Sequence, residues 1–455
     1  MRRALLLAAW ATACTSTDVR TDLDALEHTF GGEALVEPPT EAFGPVPSLS
    51  EPLTTEQAEQ VALAHHRGLR TAVMGLARVR GERVMAGAWP SPTLGVGFSR
   101  SLEDADHPDE VELGLDFDLG ALLWTPNRIA VADGTLRGAR YALGATMLGV
   151  RHRARSAVLG LQAAQGRRGL RFEALRNQQA AWETALELHR IGSFSDLDLA
   201  MERASVEAAR AAVADAELRV REAEDALALA LGVSGARVEA PLAPLDQTPS
   251  PSTGIEQRAL EKSFVLAQLR EQLHAAAARL DGETGRAWLP SLGLGVHTHR
   301  EEGEWKAGGH LAVGLPGFDA GRGRVAAASA ELSRLRHQYA QVASELRVAV
   351  RGAWTRAEST RKQALHLQSA LLPARQAVLA ETQKSYNAMQ ISVFRLLEVQ
   401  RAVIETQVQT LEATHRALQA RLALDGLLAG GSGGVVPDAE PMTMPEAPAG
   451  GHGGH

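Results

Sequence analysis

The sequence predicts a mainly α protein with a small β part: a duplicated, long-helix coiled coil carrying two β-hairpins. Three observations predict it. Motifs in the first half of the 455-residue chain recur in the second at an offset of roughly 198 residues. Two stretches, from about 128 to 191 and from about 322 to 389, keep helical periodicity with no proline except Pro373. Each is preceded by a pair of short runs in which apolar residues alternate.

Composition narrows the function classes. The formal net charge is −7, and acidic and basic residues are interleaved, so there is no nucleic-acid footprint. Hydrophobic residues make up 45% of the chain but aromatics only 4%. The apolar content is therefore Ala, Leu and Val, which suits helix–helix seams better than a thick globular core. No phosphate-binding glycine loop, zinc-protease helix motif or nucleophile elbow is present, so no enzyme and no cofactor is expected.

The elements follow in order. Arg2 and Arg3, then an apolar run from Ala4 to Ala13, read as an export signal over 1–13, because that run is too short to span a bilayer. The only cysteine, Cys14, follows the small residues Ala11-Thr12-Ala13 and is the expected lipidation site, anchoring the chain to outer-membrane lipid. Thr15 beside it is compatible with outer-membrane sorting, which an Asp would disfavour. Residues 14–53 are irregular and proline-rich.

The first repeat is expected over 54–240 and the second over 254–430. In the first, a helix over about 54–88 ends at Ala88-Trp89, before Pro92-Thr93-Leu94-Gly95-Val96-Gly97. In the second, a helix over about 254–287 ends at Ala287-Trp288, before Pro290-Ser291-Leu292-Gly293-Leu294-Gly295. Strands are expected at about 92–100 and 110–118, then at 290–299 and 309–316, with Glu301-Glu302-Gly303-Glu304 as the second loop. Such runs match tilted bilayer-crossing strands. Four strands cannot close a barrel, so a barrel would need several subunits.

The long helices show coiled-coil spacing: Ala154, Val158, Leu161, Phe172, Leu175, Trp182 and Leu186 in one, Ala328, Leu332, Leu335, Tyr339, Val342 and Leu346 in the other. Breaks follow at Gly192-Ser193-Phe194-Ser195 and, at the same offset of 198, Gln390-Ile391-Ser392-Val393. Gly192 suits a helix C-terminus, and Ser195 and Ser392 suit N-caps of the return helices. The return helix from about 394 to 428 keeps a seven-residue frame through Leu397, Ile404, Val408, Leu411, Leu418 and Leu422. A helix of the predicted length runs about 100 Å, and two shorter ones stacked end to end span the same distance.

On these residues, together with Leu315-Pro316-Gly317-Phe318-Asp319-Ala320-Gly321-Arg322 and Ser195-Asp196-Leu197-Asp198, the chain over about 54–430 resembles the TolC-like outer-membrane efflux family. The resemblance implies a homotrimer with a twelve-stranded β-barrel, a hollow helical conduit and an equatorial layer. It implies as partners a periplasmic adaptor and an inner-membrane pump of the resistance-nodulation-division type. The adaptor-contact tips carry over to Gly192, Ser193, Ser195, Asp196, Gln390, Ser392 and Val393. Gln390 departs from the glycine common there. Asp319 is expected to cap the second long helix.

Two groups carry possible metal chemistry. His297, His299 and His310 surround the second hairpin, with His297 and His299 on one strand face. The bland reading is a polar surface near a barrel mouth. The tail over 431–455 is Gly/Pro-rich, with Met442, Met444, His452 and His455, residue types suited to soft metals or simply to low complexity. The function expected is a passive exit duct of a tripartite efflux system, for metal cations or small toxic compounds. The rivals are a periplasmic adaptor lipoprotein, which carries one hairpin rather than a duplicated unit, and a structural coiled-coil lipoprotein, which has no use for the strands.

Overall fold

The structure, a computed structural model, describes residues 52–99, 110–238, 241–245, 253–301, 304–317 and 321–432. Cys14, the leader and the Met/His tail lie outside the described residues. The chain runs β1 Pro52–Leu53, α1 Thr55–His65, α2 Arg67–Gly87, β2 Thr93–Ser99, β3 Glu110–Asp118, α3 Leu119–Leu123, α4 Thr125–Arg190, α5 Asp196–Leu231 and β4 Arg237–Val238. The second half runs α6 Ile255–Lys262, α7 Phe264–Trp288, β5 Leu292–Glu301, β6 Glu304–Val313, α8 Arg322–His366, a π-helical turn Leu367–Leu371, α9 Leu372–Asn387 and α10 Val393–Leu428.

Helix α4 has 66 residues, about 100 Å at 1.5 Å per residue. Its counterpart matches that length in three pieces of 45, 5 and 16 residues. The interruption has a local cause. Pro373 brings no N–H and its ring crowds the carbonyl four residues back, so the preceding turn widens, with Leu372 N–H bonding Leu367 O. Nothing equivalent interrupts α4.

The helices expected over 54–88 and 254–287 are each broken in two. His66 (φ −67°, ψ 111°) separates α1 from α2, and Ser263 (φ −61°, ψ 117°) separates α6 from α7. The return helices end at these kinks. Gly232, at φ +70°, caps α5 so closely that an added Cβ would lie 2.7 Å from His65 O. Gly430, at φ +111°, repeats the arrangement: a Cβ there would lie 2.5 Å from Lys262 O, and its own carbonyl accepts from Phe264 N–H at 3.1 Å. Thus α5 stacks on α2, and α10 on α7, as length arithmetic requires. The leftover pieces α1 and α6 sit beside the junctions, near a two-residue parallel pairing of β1 with β4.

Leu136, Leu143, Val150, Ala154, Val158 and Leu161 of α4 form one seam with α1, α2 and α5. Leu332, Leu335, Val342, Leu346 and Val350 of α8 form the other with α6, α7 and α10. Each fully buried leucine contributes roughly 1.5–3 kcal/mol. Farther along α4 the expected seam gives way. Phe172 and Leu186 are both 40% exposed, and the buried positions are Asn177, Gln178, Ala181 and Ala185. Helix α4 is flanked by α2 and α5 on one side and by α7 and α10 on the other, whereas α8–α9 packs mainly on α6, α7 and α10.

The strands form one antiparallel sheet, β2-β3-β5-β6. The second hairpin is tighter than expected: β6 starts at Glu304 and ends at Val313 rather than spanning 309–316. The N-cap of α8 is Gly321 (φ +67°), with no side-chain cap; Asp319, the expected cap, lies outside the described residues. In the first repeat Asp118 caps α3, its carboxylate accepting from Ala121 N–H at 2.7 Å.

Candidate functional site

Both helical hairpins turn at one end of the rod, where Phe194 and Phe394 stack with ring centroids 5.0 Å apart. At the first turn Gly192 takes φ +77°. Gly192 N–H bonds His189 O and Ser193 N–H bonds Leu188 O, both at 2.9 Å, the paired bonds of a Schellman end. Ser195 then caps α5, its hydroxyl accepting from Asp198 N–H at 3.1 Å. The second turn repeats this bond for bond: Met389 N–H to Tyr386 O, Gln390 N–H to Ser385 O, and Ser392 Oγ accepting from Arg395 N–H.

The tips therefore correspond at an offset of 197, not 198. Gln390 matches Ser193, and the partner of Gly192 is Met389, which holds φ +58° with a side chain attached. The residue that stands in the glycine conformation is thus Met389, one residue before the Gln390 expected from sequence. Left-handed backbone at a non-glycine residue costs about 1–2 kcal/mol. Met389→Gly is accordingly expected to stabilise the protein by about 1 kcal/mol in thermal unfolding. An unchanged or lower midpoint would mean that the methionine side chain repays its strain.

Gly192, Ser193, Ser195, Asp196, Gln390 and Ser392 are exposed together at this end, and Val393 is half-buried. Sequence reasoning missed the apolar residues among them: Ile191, Leu197, Met201 and Met389, the last 93% exposed. Their signal was available as apolar residues flanking a polar break. A groove of about 420 Å³ runs between α9 and α10 beside the second turn, lined by Val378, Glu381, Thr382, Ser385, Ile391 and Arg395.

At the opposite end, register divides the sheet into two unlike faces. Leu94, Val96, Phe98, Leu113, Leu115, Phe117, Leu294, Val296, Leu311 and Val313 share one face and are all exposed. Glu112, Gly114, Asp116, Gly295, His297, His299, Gly308 and His310 share the other. Trp89 and Trp288 are exposed at the helix-to-strand junctions, and Trp305 on the apolar face toward the loops. Apolar alternation bounded by aromatics is the pattern of bilayer-crossing strands.

The structure gathers the three histidines of the sequence prediction on the polar face. His310 Nε2 lies 3.3 Å from Asp116 Oδ1, and the His297 ring centroid is 5.9 Å from that of His310 and 6.2 Å from that of His299. Glycines make the room: the Asp116–His310 pair lies across Gly295, and the His297 ring across Gly308. Among the described residues, however, no three His, Cys, Asp or Glu side chains converge on one metal position.

A third feature lies midway along the rod. A groove of about 790 Å³ crosses α4 between α5 and α10. Its rim carries Arg153, Arg167, Arg219 and Arg416 with His66, His152 and His415, against Glu222 and Glu412. Burial, then the nearby Arg153, lowers the pKa of His66 below 6.5; burial and Arg155 do so for His152, and burial and Arg167 for His415. Below about pH 6.5 the unfolded chain therefore takes up protons that the folded protein refuses. Stability is expected to be flat above that pH and to fall as pH drops through the folded values. Unfolding midpoints at about pH 7.5 and 5.5 check the sign; a higher midpoint in acid would contradict it.

With the tips, sheet and rod defined, comparison with known proteins becomes specific. No curated protein sequence matches the chain. Among solved structures it is similar to CusC, reported in work on folding and transmembrane channel formation, at 19% identity and TM-score 0.71, covering 83% of this chain and 92% of that one. The Campylobacter jejuni CmeC outer membrane channel gives 14% identity, TM-score 0.71 and coverage of 83% and 86%. The outer membrane protein VceC of Vibrio cholerae gives 19%, 0.69, and 83% and 96%. The profile of the outer membrane efflux protein family matches residues 59–233 and 255–430, the two repeats in turn. The chain belongs to the outer membrane efflux protein family, whose members are channels rather than enzymes.

Proposed function

We propose that this chain is one subunit of a homotrimeric exit duct through the periplasm and outer membrane, drawing its energy from an inner-membrane pump. The observation that carries the reading is the sheet. Four strands with one largely apolar, exposed face, polar only at Thr298 and Arg300 toward the loops, and unpaired edges at β2 and β6 are mounted on a helical layer about 100 Å long. Water does not tolerate such a face; a bilayer does, provided the edges close. Three copies supply twelve strands.

The helical layer supports the same count of neighbours. No residue of α9 is buried, whereas the matching end of α4 buries Asn177, Gln178, Ala181 and Ala185. The bare side of α8–α9 and the outer side of α2 and α5 suit one another as a subunit contact in a closed ring. The exposed apolar residues at the tips, with Asp196 and Gln390, offer the docking surface for a periplasmic adaptor serving a resistance-nodulation-division pump. Residues 1–13 act as leader and Cys14 carries the lipid. The cargo is metal cations or small toxic compounds.

The test is biochemical. The protein is expected in the outer-membrane fraction as a heat-labile trimer that conducts ions in a planar bilayer, with labelled fatty acid incorporated unless Cys14→Ala is made. A monomer in the soluble periplasmic extract would refute the duct. Trimers without label would refute only the anchor. At the tips, Ser193→Arg with Gln390→Arg is expected to abolish efflux-dependent resistance while leaving trimer and conductance intact.

A further inference from the structure

The groove across α4 deepens the proposed reading, on which it rests, by naming a cargo class. Arg167 pairs with Glu412, and Arg219 lies 3.4 Å from Asp215 and 4.0 Å from Glu222. Arg153 and Arg416 have no such partner among the described residues. Each donates to a backbone carbonyl of its own helix, Gly149 O at 3.3 Å and Glu412 O at 3.4 Å. Two guanidinium groups lining the groove, one on α4 and one on α10, are thus left without a carboxylate partner among the described residues. Between them the floor is apolar: Ala157, Gly160, Ala164, Ala223 and Leu411.

We propose that this groove binds a drug-sized organic anion in transit, a molecule with a carboxylate, sulfonate or phosphate head and an apolar body. Its volume of about 790 Å³ falls in the range of small-molecule sites. The head meets Arg153 and Arg416, for which an oxyanion is the natural partner, and the body covers the alanine floor.

The surrounding hydrogen bonds fit an anion better than a metal ion. Ser156 Oγ donates to Gln419 Oε1 at 2.9 Å, so the Gln419 amide nitrogen faces Ser156 O at 3.0 Å and His415 Nε2 at 3.3 Å. The amide donates to both, which fixes His415 as a neutral ring with Nε2 as acceptor. That nitrogen is already occupied, and the arginines repel cations. His66 Nδ1 is buried with no hydrogen-bond partner among the described residues. Burial, helped by Arg153, Arg155 and Arg167 in turn, disfavours the charged forms of His66, His152 and His415; an anion beside them would favour those forms, so binding should tighten as pH falls. The groups facing these rings are the four rim arginines, Arg155, and the carboxylates Glu222 and Glu412.

Position also favours passing cargo. His152, Ser156, Gly160, Ala163 and Arg167 project from the side of α4 opposite Ala154 and Val158, which lie under α1. The groove thus faces away from the outer layer formed by α1 and β1–β4. Subunits joined through α8–α9 and α2/α5 would leave it open, looking into the duct.

The experiment uses the full-length trimer in nanodiscs of zwitterionic lipid, with empty discs as blank and anilinonaphthalene sulfonate as fluorescent probe. Saturable binding is expected, displaced by decanoate but not by decanol or decyltrimethylammonium. Arg153→Gln with Arg416→Gln should weaken it at least about tenfold; Arg347→Gln, an exposed control on α8, should not. Equal affinity in the double variant, or displacement by the cation, would overturn the proposal. Displacement by phosphatidylglycerol without displacement by decanoate would make the groove a lipid site and overturn it equally. Because the trimer is verified on the same discs and conductance on the same preparation in a planar bilayer, loss of anion binding with both intact rejects this inference alone. Absence of a wild-type trimer rejects the duct itself.

Discussion

Glu59→Ala is expected to lower the unfolding free energy by about 3 kcal/mol, the largest effect of any single side-chain truncation proposed for the helical rod. Glu59 is 3% exposed, on α1, and receives Arg151 Nε at 2.9 Å and Arg155 Nε from α4. Truncation leaves two guanidinium groups side by side over a vacated carboxylate. Breaking a fully buried pair costs about 3–5 kcal/mol. Here the lower end applies, because Arg151 and Arg155 keep 32% and 41% of their side-chain exposure and can turn toward water.

The consequence is local before it is global. Helix α1 has only eleven residues and lies outside the α5–α2 stack, held by Leu53, Ala58, Ala62 and this one carboxylate. Its loosening would release the β1–β4 pairing and the kink at His66 on which Gly232 seats. Glu59→Gln, which keeps an acceptor, should recover part of the loss. Arg151→Ala should cost less than Glu59→Ala, since Arg155 still balances the charge. Circular-dichroism melting of the three variants gives the order directly; equal midpoints for wild type and Glu59→Ala would show that the triad contributes nothing.

What sequence made legible was whatever local chemistry enforces. Ser195 and Ser392 announced their caps because a hydroxyl before an acidic or apolar turn has few other uses. The strands announced their faces through alternation, and the rod its length through unbroken periodicity. The kinks at His66 and Ser263 were illegible for the opposite reason. No proline marks either kink, Gly68 lies two residues past His66 without setting its fold, and what seats each kink is a glycine about 165 residues away in the chain, pressing on a carbonyl. Met389 misled the register because repeat alignment follows residue types, while a Schellman end follows backbone bonds. The groove could not be read at all. Its walls come from α4, α5 and α10, and only packing brings Arg153 and Arg416 into one groove.

Leu115→Arg is expected to cost about 2–4 kcal/mol, and His297→Arg, one position away in register and therefore on the other face, within about 0.5 kcal/mol of zero. Leu115 pairs with Val296 at the middle of β3 and β5, the two inner strands. If the apolar face meets lipid, this pair sits near the bilayer midplane, where an arginine must drag water inward or distort the bilayer. His297 projects from the opposite face, beside Gly114 and Gly308, where an added guanidinium has room and water. The readout is the fraction of each variant recovered as heat-labile trimer from outer membranes, followed by denaturant unfolding of that trimer. Equal losses would mean that both faces are dry, as in a sheet buried against another protein. A loss only for His297→Arg would turn the barrel inside out. No loss for either would take the sheet out of the bilayer and with it the channel, whatever the length of the helices. The experiment therefore tests the face assignment on which the whole duct depends, by means of two residues on opposite faces of the sheet.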